Sequence, residues 1–204
     1  MYSGIKTLKC NDNAYMAFSL ANRAMFMQRV HLRKQSITAD IDRYPDDEQI
    51  AEFLRNKDYR ETDDGGCRWR PFQIAFLLMD INSIVYDDSP ERDIVDLIWF
   101  QTGGGKTEAY LGLTAFTIFY RRLTHPDQSG GTTAIMRYTL RLLAAQQFTR
   151  AATLICACEF IREDCNAKRH TYPSYPLGKE PITIGLWIGG EHIPNSNLKG
   201  DNNA

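Results

Sequence analysis

Residues 98–113 read IWFQTGGGKTEAYLGL. An apolar run ends in Gln101 and Thr102. Gly103, Gly104 and Gly105 follow, then Lys106 and Thr107, then a segment of helical character. Glycines let the backbone approach an anion and turn its N–H groups inward. A helix that starts directly after them adds unpaired N–H donors and a positive partial charge. The Lys106 ammonium can reach the outer phosphates of a nucleotide, and the Thr107 hydroxyl stands where a phosphate-bound Mg²⁺ would sit. The strict spacing for such a loop wants glycine at position 100, where this chain has Phe100. The core T-G-G-G-K-T remains.

A loop of this kind needs a strand before it and a helix after it. The apolar run within 92–100 predicts a central parallel strand, covered on both faces. Residues 105–123 predict a helix that is apolar nearly all round and therefore buried. THPDQSGG reads as a surface turn, 132–136 as a second strand and 140–164, free of Gly and Pro, as a long helix. HTYPSYPLGKEP reads as a loop, and 182–188 as a third strand closed by Gly189 and Gly190. Strand, helix, strand, helix, strand predicts an α/β fold with a parallel sheet and right-handed crossovers.

Upstream, 13–35 predicts a helix with Leu20, Ala24, Met27 and Val30 on one stripe. Its basic end (Arg29, Arg33, Lys34) suits a helix C-terminus and reads as solvated. Residues 46–57 read as a surface helix, 62–66 as a turn, and the segment after Arg70 as a helix opened by Pro71. Residues 84–88, IVYDD, end in two acids, but the following DDSPER reads as a turn.

Composition narrows the classes. The 204 residues suffice for one ordinary domain. A net charge of −1 means that any nucleic-acid footprint is a local patch. The N-terminus has no apolar signal core and no run of 18 apolar residues exists, so neither secretion nor a membrane span is expected. Five cysteines, an odd number, read as reduced thiols of a cytosolic protein. Cys156 and Cys158 do not share a helical face. Cys158 and Cys165 do, but no second ligand pair accompanies them, so no zinc site is expected. The four histidines are scattered. Trp69, Trp99 and Trp187 flank the motifs and read as packing residues.

At these residues the chain resembles superfamily 2 helicases. Thr102, Gly103, Gly105, Lys106 and Thr107 match their first motif, A-x-T-G-x-G-K-T, with Phe100 in place of its small first residue. Arg70-Pro71-Phe72-Gln73 resembles their R-P-x-Q element, whose glutamine reads the adenine edge. Gln73 is thus either an adenine contact or an ordinary helix start. RYTLRLLAAQQF resembles P-T-R-E-L-A-x-Q, with Arg141, Leu143, Ala144 and Gln146 in register and Thr139 and Leu142 replacing the Pro and the Glu. That implies phosphate contacts to a bound strand from Arg137, Thr139 and Arg141; the alternative is a core helix with solvated arginines. Gly189-Gly190 resembles a turn beside which a nucleic-acid backbone passes. Over about residues 70–195 the wording looks closer still to the large helicase of DISARM-type bacterial anti-phage systems.

The resemblance implies an incomplete P-loop RecA-like lobe over 67–195, preceded by an N-terminal helical region (1–66) and followed by a polar tail (196–204). It implies ATP and Mg²⁺ as cofactors. Gln73, Thr102, Gly103, Gly104, Gly105, Lys106, Thr107 and Glu108 form the nucleotide set, Lys106 and Thr107 being catalytic and Thr107 holding Mg²⁺ through phosphate. Arg137, Thr139, Arg141, Gln146, Gly189 and Gly190 form the nucleic-acid set. The implied partners are DNA, the remainder of a helicase polypeptide and a defence-system protein, in the cytoplasm and without a membrane. No Asp-Glu pair follows Lys106 at a strand end, so this chain is expected to bind nucleotide with little hydrolysis. Two other classes stay open. One is a different P-loop NTPase, for which no base-specificity motif or arginine-rich lid is present. The other is a non-enzymatic module that binds DNA or a partner.

Overall fold

A computed structural model describes residues 1–38, 68–101, 103–138, 141–167 and 175–187, with backbone alone at 33–38 and 141–145. The expected 46–57 helix, the 62–66 turn and the 196–204 tail lie outside the described residues, as do Thr102, Thr139, Gly189 and Gly190.

Five α-helices form the described body: α1 (Tyr2–Cys10), α2 (Asp12–Thr38), α3 (Pro71–Val85), α4 (Lys106–Thr124) and α5 (Arg141–Asn166). Asn11 separates the first two. Its side chain accepts from the Ala14 N–H at 2.9 Å, capping the start of α2. Pro71 opens α3, as its preset φ favours.

α2 and α4 pack most extensively. The reason lies in their small residues. Ala14, Ala17, Ala21 and Ala24 recur at helical spacing on α2 and are 0–4% exposed. Ala109 and Ala115 on α4 are fully buried, with Leu111, Phe116 and Phe119 filling the space between. α5 buries a stripe at 151, 154, 157, 158, 161 and 165, the three-four period of an amphipathic helix. Burying each large apolar side chain contributes about 1.5–3 kcal/mol. The expected stripe of Leu20, Ala24, Met27 and Val30 is buried, and α4 is apolar nearly all round, as its sequence reads.

The parallel sheet is contradicted. Among the described residues there is no strand, and the core is helix on helix. The 92–100 segment begins in a 3₁₀ turn, Pro90–Asp93, where Ser89 Oγ accepts from the Glu91 N–H. It continues extended and unpaired, with Ile94, Val95, Leu97 and Trp99 between 62% and 94% exposed. Residues 132–138 and 182–187 likewise form no strand, and Ile135 and Trp187 are more than 80% exposed. A ladder needs a second backbone to take its N–H and C=O groups. An apolar run shows what a segment has to bury, not that a neighbouring strand is present. The RecA-like lobe is therefore not the fold of the described residues.

Two buried arginines fix the last described loop onto the helices. Arg122 is 5% exposed and donates to the carbonyls of Leu177, Glu180 and Pro181. Arg162 donates to Gly178 O at 3.1 Å and forms a two-pronged pair with Glu159. Glu159 also accepts from the Ile182 N–H at 2.8 Å. Leu177, fully buried, plugs the core beneath this clamp.

Candidate nucleotide-phosphate site

The glycine loop runs directly into α4. Gly105 is the N-cap at φ 89°, and Gly103 has φ 80°. Side chains with a Cβ rarely adopt either value. A Cβ at Gly105 would also lie 2.7 Å from Gln73 Nε2. Lys106 and Thr107 open the helix, so its unpaired N–H groups face the loop.

The start of α3 holds this loop in place. Arg70 Nη1 donates to Gly104 O at 2.8 Å and Gln73 Nε2 donates to Gly105 O at 2.7 Å. Gln73 Oε1 accepts from the Arg70 N–H at 2.8 Å, tying the side chain to the start of its own helix. Gln73 is 5% exposed, so both ends of its amide are occupied inside the protein. Phe100, at the position expected to be small, stacks on Phe72 with ring centroids 4.1 Å apart and planes 17° apart. The loop is packed from below by an aromatic pair instead of a close backbone. Lys106 Nζ donates to Phe100 O at 2.5 Å, across the mouth of the loop.

Behind the loop lies a cavity of about 350 Å³ between α2 and the starts of α3 and α4. Met25, Phe26 and Trp69 supply apolar wall, and Gln73, Glu108 and Arg150 supply polar groups. Trp69 packs over Gly112 and donates to Asn22 Oδ1 at 2.6 Å. Glu108 Oε1 is paired with Arg150, while Glu108 Oε2 is buried without a hydrogen-bond partner. Burial and then the nearby Arg29 hold the Arg150 guanidinium below its ordinary value.

The structure brings Gln73, Gly103, Gly104, Gly105, Lys106, Thr107 and Glu108 into one neighbourhood. Arg137 and Gln146 are exposed, Arg141 is the first residue of α5, and its side chain is outside the described set. Sequence reasoning named Arg70 within the R-P-x-Q resemblance but gave it no role, and did not single out Arg150. Arg70 was visible beside Pro71, but the partner of Arg150 lies 42 residues away and left no local signal. Packing is the role found for Trp69, whereas Trp99 and Trp187 are each 88% exposed. The acids at 87 and 88 sit in a turn, where Asp87 pairs with Arg92. Among the described residues no group of three His, Cys, Asp or Glu side chains could hold a metal ion. No described helix is long and apolar enough to cross a membrane.

No family model matches the chain. Over 190 residues it is 37% identical to the DISARM protein DrmA of Bacillus paralicheniformis, a match covering 91% of this chain and 15% of that protein. The chain spans about a seventh of that relative's length and is similar to one segment of it.

Proposed function

We propose that this chain is the nucleotide-binding segment of a cytoplasmic anti-phage defence protein that acts on DNA as an ATP-dependent helicase or translocase. One observation carries the nucleotide part: Gly105, left-handed, caps α4 directly before Lys106 and Thr107, and α3 holds that loop through Arg70 and Gln73. The defence setting rests on the similarity to a DISARM protein.

The residues present fit a triphosphate. Backbone N–H groups at the start of α4 face the loop, and the space around the Cβ position of Gly103 is open. Bound ATP with Mg²⁺ supplies the phosphoryl-transfer chemistry. Lys106 would exchange its bond to the Phe100 carbonyl for a phosphate oxygen, and Thr107 would hold the metal through its hydroxyl. The cavity lined by Trp69, Gln73 and Arg150 is the place for the base, with Gln73 as the adenine contact once its amide is released. Glu108, in the first turn of α4, is tied to Arg150 and does not supply a base for water. The chain alone therefore binds nucleotide with little turnover. Arg137 and Thr139, with Arg141 and Gln146 of α5 and with Gly189 and Gly190, are the proposed contacts to a DNA backbone.

Equilibrium binding of ATP with Mg²⁺ to this chain and to Lys106→Ala tests the reading. The parent binds, the variant loses at least about tenfold, and GTP competes poorly. Absence of binding by the parent overturns it and leaves a non-enzymatic partner-binding module. DNA titrations with and without ATP, using Arg137→Ala as the comparison, test the second contact set.

A further inference from the structure

A second cavity, of about 610 Å³, is bounded by α3, the 87–96 segment and the C-terminal half of α4. Four carboxyl groups line it: Asp80 from α3, and Asp87, Glu91 and Asp96 from the segment that follows. A carboxyl group is seldom buried unless it is paired. Two of these four break that rule. Asp80 is 8% exposed, and its Oδ2 is buried without a hydrogen-bond partner. Glu91 Oε2, from the 3₁₀ turn, is likewise buried and unpartnered. Both residues line the same cavity.

The donors around the cavity are engaged elsewhere. Arg92 donates to Ser83 O and pairs with the exposed Asp87. Arg121 is spent on Gly130 O, Thr132 O and Thr133 Oγ1. Tyr120 donates to Val85 O, and His125 Nδ1 faces Thr124 Oγ1. α1 meets the opposite side of α3, at Leu78 and Asn82, so Lys6 and Lys9 lie across the helix from Asp80. Burial first, and then Asp96 and Glu91, push the Asp80 carboxyl up to about 7. Among the described residues no cation is paired with Asp80 or with Glu91.

The chemistry of the walls selects the occupant. Among the described residues no group of three His, Cys, Asp or Glu side chains could hold a metal ion, so an organic cation fits better. A guanidinium carries five N–H donors in a planar fork and can serve two carboxylates at once. Beside the cavity runs an apolar edge: Ile94, Val95 and Leu97 are 62%, 94% and 81% exposed, and Ile94 is itself part of the lining. A free polyamine would leave that edge in water. A protein segment with apolar residues next to its arginine covers both, as arginine anchors do at the centre of interfaces. We propose that this cavity is a docking pocket for an arginine of a partner protein, whose guanidinium pairs with Asp80 and Glu91 while flanking apolar side chains pack on the 94–97 run. The pocket is separate from the glycine loop and does not rest on the nucleotide reading.

The test uses the whole chain, labelled with ¹³C at the aspartate and glutamate carboxyls, and needs no nucleotide. The probe is the peptide Ac-Leu-Arg-Val-NH₂. Its uncharged isostere with citrulline in place of arginine, spermidine and Mg²⁺ are the comparisons. Asp80→Asn and Glu91→Gln, which keep the side-chain shapes, assign the two carboxyl signals. The arginine peptide is expected to bind saturably, with a dissociation constant on the order of 1 mM, and to move both signals together. The citrulline peptide should bind at least about tenfold more weakly, and each variant should weaken the arginine peptide about fivefold or more. Glu91→Gln lies in an exposed turn and carries the test if Asp80→Asn does not fold. Absence of saturable binding, equal binding of the citrulline peptide, or parent-like binding by the folded variants overturns the proposal. So does spermidine or Mg²⁺ binding as tightly as the peptide, which would make the pocket a site for free cations. Failure to bind ATP would leave every one of these readouts unchanged, so the two readings fail separately.

Discussion

The Gln73 Nε2 group donates to the Gly105 carbonyl at 2.7 Å across 32 residues of sequence. The same amide caps the start of α3 through the Arg70 N–H. One buried side chain thereby makes the helix start and the glycine loop a single unit. Gln73→Ala leaves both backbone groups without their partners, at a cost of about 1–3 kcal/mol each if they stay buried. Affinity for ATP with Mg²⁺ is expected to fall about tenfold, measured by calorimetry. Gln73→Glu keeps the acceptor for Arg70 and loses the donor to Gly105, so it should fall between parent and alanine variant. Unchanged affinity in both would mean that the loop holds its shape without α3.

Gly112 sits beneath Trp69. A Cβ there would lie 2.7 Å from Trp69 Cη2 and 3.4 Å from Leu77 Cδ1. Two effects oppose each other in Gly112→Ala. Alanine is the better helix former by about 1 kcal/mol. Overpacking costs about 1–3 kcal/mol and here would also strain the bond from Trp69 to Asn22. The clash should win, since the indole is tied to Asn22 through its N–H. Urea denaturation should show a net loss, and a gain in stability would show that Trp69 moves aside freely.

Arg122 holds three carbonyls of the 177–181 segment from inside the core. Arg122→Met fills most of the volume and satisfies none of them. The expected loss is about 2–4 kcal/mol, with faster proteolysis of residues 175–182. Arg122→Lys should rescue little, because an ammonium does not reproduce the planar fork.

Two carboxyls give stability opposite slopes in pH. Hydrogen bonding from Arg162 holds Glu159 below its ordinary value of 4.5, against the opposing effect of its burial. The folded state therefore gains from the ionised form. That stability is present above about 4.5 and is lost as pH falls through the lowered folded value. Asp80 is the reverse case, raised from 3.8 to about 7. The folded state binds a proton that the unfolded chain has released, so stability declines as pH rises from 3.8 to about 7 and is level above that. Thermal melts from pH 3 to 9 should show Arg162→Met losing the acidic limb and Asp80→Asn losing the decline toward neutrality. Melting curves for these variants that run parallel to the parent would refute both assignments.

The helices were legible because their signals are local. The stripe of Leu20, Ala24, Met27 and Val30, Pro71 at a helix start and the Gly-Pro-free run of α5 each state a period or a boundary within one turn or two. The α1 helix was missed because TyrSerGlyIleLysThr carries a mid-helix glycine and weak periodicity; Gly4 is there because a Cβ would lie 2.0 Å from Leu78 O. That requirement belongs to α3, 74 residues on, and is invisible in the N-terminal sequence.

By itself the sequence determined where the glycine loop lies, that a helix follows it, that this helix is apolar nearly all round, and which stripe of α2 is buried. These follow from backbone freedom at Gly103 and Gly105 and from the 3.6-residue period, which need no other part of the chain. Only the tertiary structure decided that the 92–100, 132–138 and 182–187 runs form no strand ladder while helices make the core, that the Gln73 amide is turned onto Gly105, and that Arg122 reaches Leu177. Strand pairing, a buried amide and a buried guanidinium each require a partner from a distant segment, and sequence patterns within one segment do not specify which distant group arrives.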